Sequence, residues 1–133
     1  LGNIATPFEH RSYGEELSLC QRYCYVFNAS GFSGESIGNG HCRSNSSSYC
    51  TLNFPVEMRT APTSVTVNSA GNFGMVTYGI VNQPCSSVTL QGATNAVALM
   101  NLVTSTTSYT TGNGVQMYCV NGNGLITFDG AEL

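Results

Sequence analysis

Few residues of this chain have side chains able to do chemistry, and their spacing limits what they can do. Glu9, His10 and Arg11 place an acid, a base and a cation side by side, the groups of a general acid–base site. Successive residues of an extended chain point to opposite sides, so the three cannot face one substrate together. The other histidine is His41, and Asp129 is the single aspartate. A Ser-His-Asp triad would have to use that aspartate, and no serine sits in the glycine-flanked elbow of an activated nucleophile. Two carboxylates across a cleft would suit sugar hydrolysis, but nothing in the sequence brings Glu35 and Glu57 together. A hydrolytic domain is the weakest of the readings; the chain is expected not to be an enzyme and to need no cofactor.

The six cysteines raise a metal or disulfide reading. Cys20 and Cys24, with His41, Cys42 and Cys50, are soft zinc ligands, but structural zinc sites use tighter pairs on knuckle turns, so no metal is expected. Cys42 and Cys50 flank a Ser/Asn loop that suits a hairpin tip, which makes them a candidate disulfide. The competing account treats cysteines as small buried hydrophobes and best fits Cys20 and Cys119. Gly38-Asn-Gly40 and Gly122-Asn-Gly124 precede neither a helix nor a lysine, so they read as turns and not as phosphate loops.

Binding chemistry would come from loops. Phe32, Phe73 and Tyr109, with Asn72 and Asn113, are the residue types that stack on sugar rings and bond to hydroxyls. The same aromatics could instead anchor loops or fill a subunit interface.

These residues need elements to position them. Ser12 to Glu15 has capping-box spacing and predicts a helix from about Ser12 to Arg22, after an extended connection over residues 1–11. Leu17, Leu19, Cys20, Tyr23 and Cys24 give that helix an apolar stripe with which to dock. Arg11 and Arg22 are placed to pair with Glu9, Glu15 or Glu16 and fix the helix against the domain or a neighbouring subunit, so these charges, with His10, are assigned an assembly role. The run from Tyr23 to Phe27 predicts a strand. A Gly- and Ser-rich region over 28–48 holds at most a short strand near Gly40 to Arg43. Further strands are expected over Tyr49 to Arg59, around Val65 and Val67, over Phe73 to Val81, and over Ser86 to Gln91, with Asn82 to Pro84 as a break. Asn95 to Val103 also fits a helical stripe but reads as a strand buried on both faces. Val115 to Val120 and Leu125 to Asp129 flank an Asn/Gly segment and predict a hairpin. The sum is an all-β chain with one short N-terminal helix: a single domain over 12–133, built as an antiparallel two-layer β-sandwich of jelly-roll type with seven or eight strands.

Composition agrees. A chain of 133 residues suits one domain and buries roughly two thirds of its unfolded surface. Charged residues are only 8%, all four basic residues are arginine, and the net charge is −3, which leaves no footprint for nucleic acid. No run approaches the roughly 18 apolar residues that cross a bilayer, and the chain is expected to be soluble, without membrane insertion. Hydrophobic residues at 41%, with seven Tyr and six Phe, argue for a folded domain with a neutral, hydroxyl-rich surface suited to packed subunits or the outside of cells. The start at Leu1 suggests a processed chain or the end of a longer protein.

The segment PFEHRSYGEELSLCQRYCY, from Pro7 to Tyr25, also carries a resemblance. It is similar to the EHR-x-x-GEEL-x-LCQRY segment of C-terminal domains in structural proteins of tailed bacteriophages, marine ones in particular: tail-fibre or virion appendage proteins. FPVEMRTAPT at Phe54 to Thr63 and FDGAEL at Phe128 to Leu133 match the same pattern, while Cys24, Cys42, Cys50, Cys85 and Cys119 lie outside it. The resemblance implies a non-enzymatic β-sandwich module of a fibre, spike or capsid-surface appendage. It implies assembly in the host cytoplasm, a place on the virion surface, and host attachment or particle decoration. Fibre architecture implies a homotrimer, with other virion proteins as partners and a host-surface glycan or protein as ligand. The alternative, from a different class, is a free-standing carbohydrate-binding module.

Overall fold

The computed structural model describes residues 12–29, 31, 33–77 and 79–129, with the backbone alone over 80–82. The helix α1 spans Tyr13–Gln21. Its start is the expected capping box: the Glu15 amide donates to Ser12 Oγ at 3.3 Å, and the Ser12 amide donates to Glu15 Oε2 at 2.9 Å. Two orphan amides of the first turn are thereby satisfied. The expected docking stripe is not found, because no residue of α1 is buried. The helix lies beside the first strand with Tyr13 83%, Leu17 42% and Leu19 37% exposed.

Nine strands follow among the described residues: β1 (Cys24–Asn28), β2 (Ser36–Cys42), β3 (Ser47–Asn53), β4 (Ser64–Val67), β5 (Phe73–Thr77), β6 (Ile80–Ala93), β7 (Val97–Thr104), β8 (Gly114–Cys119) and β9 (Leu125–Asp129). All pairings are antiparallel. Six strands close a barrel in the order β2-β3-β7-β6-β5-β8, and the other three form a sheet in the order β1-β9-β4. The all-β expectation with one N-terminal helix therefore holds, with the larger sheet closed into a ring.

Six strands enclose little space, and small or pliable side chains fill it. Met75, Met100, Met117, Leu102, Cys42, Cys50 and Ser48 are fully buried. Gly38 and Gly40 belong to this lining, and a Cβ on Gly40 would overlap the Tyr49 carbonyl. The strand β7 alternates between fully buried and half-buried positions, so only one of its faces lies in the core. Leu90 and Gly92 flank one irregularity in β6, and Cys85 and Ser87 another. Such bulges add the local twist that closing a ring requires.

Several boundaries differ from the sequence reading. The break expected at Asn82 to Pro84 lies earlier, at Gly79 with φ 78°, and Pro84 sits within β6. Pro84 faces Gly74 of β5 just before pairing with β7 begins at Cys85, so its missing amide leaves a gap only at the end of the β7 ladder. The strand expected from Tyr49 to Arg59 stops at Asn53. Phe54 and Met58 are nevertheless buried, held by hydrogen bonds that their backbone amides donate to the carbonyls of Ala96 (2.9 Å) and Asn95 (2.7 Å). Finally, β8 and β9 do not form a hairpin: β8 pairs with β2 and β5, while β9 is flanked by β1 and β4. The Asn/Gly segment hands the chain from the ring to the small sheet.

That sheet presents two cross-strand rows, Tyr25–Phe128–Val65 and Phe27–Ile126–Val67. Phe128 and Ile126 are fully buried. Phe54, just after β3, meets Phe128 edge-on at 5.1 Å and Tyr25 at 5.7 Å, which joins the sheet to the barrel. No helix among the described residues is long and apolar enough to cross a membrane.

Candidate functional site

The candidate sugar-binding residues separate on inspection. Phe73 and Tyr109 are 0% and 4% exposed, so neither ring offers a face to a ligand, and both are corrected to core residues. Phe73 closes on Gly124, where a Cβ would sit 2.8 Å from its ring. Tyr109 plugs the opposite end of the barrel, with its hydroxyl donating to the Met75 carbonyl at 3.1 Å. Burial, together with nearby Cys85, Cys42 and Tyr118, pushes that phenol up to about 12. Asn72 ties loops together. Its Nδ2 donates to the Asn123 carbonyl at 3.0 Å and to Asn68 Oδ1 at 3.2 Å, and its Oδ1 accepts from Asn121 at 2.9 Å. Asn113 alone of the four described is exposed, on the loop before β8, where its carbonyl accepts from the Cys42 amide at 2.8 Å. Phe32 lies outside the described residues, as do Glu9, His10 and Arg11. Of the assigned assembly charges, Glu15 closes the capping box, and the exposed Arg22 caps the helix C-terminus, where its carbonyl accepts from the Arg59 amide at 2.7 Å. Glu16 lies in the acidic first turn of α1, where a carboxylate suits the helix dipole.

All six cysteines are free: Cys20 and Cys24 exposed, Cys42, Cys50, Cys85 and Cys119 buried. Cys50 faces Gly40 and Cys42 faces Ser48, so the candidate disulfide pair is two residues out of register. Diagonal neighbours in an antiparallel ladder stand roughly 7–8 Å apart, beyond the reach of a disulfide without backbone movement. Cys20 is exposed, contrary to its reading as a buried hydrophobe, whereas Cys119 is fully buried as expected. Burial pushes the Cys50 thiol up to about 11 and the Cys85 thiol up to about 12, so neither is a nucleophile at neutral pH. Among the described residues no group of three or more His, Cys, Asp or Glu could hold a metal ion.

Polar side chains converge instead on the outer wall of the barrel, where the strand register sets out two rows. One runs Val76–Gln116–Asn39–Thr51–Leu99, and the other Gly114–His41–Tyr49–Asn101–Thr89. Tyr49 is the centre of the second row. Its hydroxyl reaches over β7 to bond Gln91 Oε1 on β6 at 3.3 Å. The His41 ring meets it edge-on at 6.2 Å and 86°, and the Arg43 guanidinium lies over its ring at 5.1 Å. A cation held over an aromatic face has a fixed direction. Asn101, next along the row, has a buried Oδ1 with no hydrogen-bond partner among the described residues. Beside this cluster a shallow groove of about 460 Å³ opens between β2, β8 and β5, lined by Asn39, Thr77 and Gln116 and by the apolar Val76 and Val115, with glycine at Gly40 and Gly114.

Sequence reasoning missed this cluster. His41 and Tyr49 were visible at either end of a Ser/Asn loop, but Gln91 and Asn101 join them only through the non-local pairing of β3 with β7 and β7 with β6.

A second surface is apolar. Leu17, Leu19, Tyr13, Tyr23 and Val26 are exposed along α1 and the start of β1. Arg59 braces this junction, with its guanidinium 5.8 Å from the Tyr23 ring centre.

Comparison of the chain with protein-family models, with curated proteins and with solved structures finds no match.

Proposed function

We propose that this chain is a non-enzymatic structural module of a phage virion, a fibre, spike or capsid-surface appendage serving host-surface attachment or particle decoration. One observation carries the reading: a well-capped helix that buries none of its own residues against its domain and leaves Tyr13, Leu17 and Leu19 in solvent. Short helices are marginal alone and draw most of their stability from packing an apolar face. Here that packing is supplied by other subunits, in a homotrimer that contacts further virion proteins. The resemblance of the same segment to appendage proteins supports the phage setting. In this reading the ring is a flattened barrel whose walls, β3-β7-β6 and β5-β8-β2, act as the two layers of a jelly-roll-like sandwich, and the module sits on the virion surface. The native mass of the 133-residue chain tests it, since three copies are expected.

A second reading, a free-standing carbohydrate-binding module, is favoured by the amide- and hydroxyl-lined wall around Tyr49 and differs in needing no assembly.

A further inference from the structure

We infer that the outer barrel wall around Arg43 binds a carboxylate-bearing saccharide, the acid group on Arg43 and the sugar hydroxyls along the Asn39–Gln116 groove. The inference deepens the attachment reading above and takes its biological setting from it.

Charge distribution is the first argument. The chain has a net charge of −3, yet it contains no Asp or Glu between Met58 and Phe128, which covers β4 to β8 and the loops at the Arg43 end of the barrel. The described carboxylates lie elsewhere. Glu15 and Glu16 are on α1, and Asp129 ends β9. Glu35 precedes β2 and Arg43 follows it, a separation of roughly 25 Å along an extended strand. Glu57 accepts from Asn95 Nδ2 at 2.9 Å, at the other end of β3 and β7 from Arg43. Arg43 and His41 thus sit at an end of the barrel without a described carboxylate. The other described arginines, Arg22 and Arg59, lie where α1 ends, beside the helix that carries Glu15 and Glu16, so an anion approaching Arg43 meets no opposing carboxylate.

Preorganisation is the second. A free surface arginine loses rotamer entropy when it binds. Tyr49 reduces that loss: half-buried, anchored through its hydroxyl to Gln91 two strands away and flanked by His41, it offers a fixed platform for the guanidinium. Arg43 itself is exposed, so donors of its fork remain open to solvent and match the two oxygens of a carboxylate.

The groove is the third. His41 lies between Tyr49 and Gly114 in the ladder, so the groove begins where the cation cluster ends. Its side-chain donors and acceptors are neutral: Asn39 and Gln116 amides and the Thr77 hydroxyl, which already donates to the Gly114 carbonyl at 2.6 Å. Neutral amides beside the apolar patches of Val76 and Val115, in an open, shallow groove, suit a sugar ring with its hydroxyl edge and C–H face, and not a wholly apolar ligand, which needs an enclosed pocket.

The test is titration of the full chain with tri-galacturonate and with 3′-sialyllactose, two sources of the same carboxylate, and with neutral maltotriose, followed by amide chemical shifts. Binding of either acidic sugar is expected to shift residues 39–43, 49, 91 and 114–116. Arg43→Gln is expected to weaken that binding about tenfold, the scale of a charge-assisted bidentate contact, and maltotriose to bind at least as weakly as that variant. Tyr49→Phe, which keeps the ring and loses the bond to Gln91, should weaken it less. Arg43 is exposed, so its variant is expected to fold, and an unchanged spectrum elsewhere verifies this. Absence of binding by both acidic sugars, shifts confined to another surface, or equal affinity of Arg43→Gln or of maltotriose overturns the inference. None of these outcomes alters the native mass, so the assembly reading stands or falls separately.

Discussion

Gly40 and Cys50 face each other across the β2–β3 ladder, and the space a Cβ on Gly40 would take is already filled by the Tyr49 carbonyl. The substitution Gly40→Ala must push β2 away from β3 at the centre of a closed ring. It is expected to cost about 2 kcal/mol or more of stability in urea unfolding, whereas Gly14→Ala, inside α1 where nothing lies within 4 Å, is expected to be neutral or to stabilise by up to about 1 kcal/mol.

The same register keeps Cys42 and Cys50 apart. With both buried beside Cys85 and Cys119, only Cys20 and Cys24 are open to reagents. A thiol-specific aromatic disulfide reagent is therefore expected to titrate two thiols in the native protein and six after denaturation. Reaction of Cys42 or Cys50 in the native state would show that the barrel opens.

Those buried thiols also set an alkaline limit. In the folded chain Cys50 and Cys85 ionise at about 11 and about 12, while unfolded thiols ionise near 9.0. Between these values the unfolded chain has lost protons that the folded chain still holds, so stability falls as pH rises. Thermal melts are expected to show stability fully present below pH 9 and declining steadily above it.

Phe128 and Phe54 couple the small sheet to the barrel at 5.1 Å. Phe128→Ala removes a fully buried ring from between Tyr25 and Phe54 and is expected to cost about 3–5 kcal/mol. Loss confined to the amides of β1, β9 and β4 in hydrogen exchange would show that the sheet unfolds apart from the ring.

The Ser12 and Glu15 cap is local. Ser12→Ala is expected to speed amide exchange in the first turn of α1, in keeping with a cap worth about 1 kcal/mol, and to leave the barrel unchanged.

How much of this was legible follows from the range of each interaction. The helix was readable because a capping box needs only four consecutive residues, β1 because its aromatic and β-branched run is local, and β4 because its alternation is. The strand β7 was readable from the rhythm of its neighbours, but as one buried on both faces, whereas only one face lies in the core. The ring was not, since closure rests on β2 pairing with β8 and β3 with β7, partners that lie far apart in the chain. Local pattern misplaced the β8–β9 hairpin for the same reason: the turn residues at Asn121 to Gly124 are suitable, but both sides of β9 are taken by β1 and β4. Phe73 and Tyr109 stood next to loops in sequence, and only the closed barrel shows that they seal its ends. The site around Tyr49 depends on Gln91, reached across an intervening strand, and no spacing in the sequence encodes that contact.

An assembly surface on α1, left uncovered by its own domain, is the central claim. The most direct measurement is the native mass of the chain across a concentration series, under reducing conditions, beside Leu17→Arg. The expected result is a particle of three times the 14.1 kDa chain mass that the substitution converts to monomer, with unchanged strand content. A wild-type monomer at every concentration, or a trimer indifferent to Leu17→Arg, would contradict it.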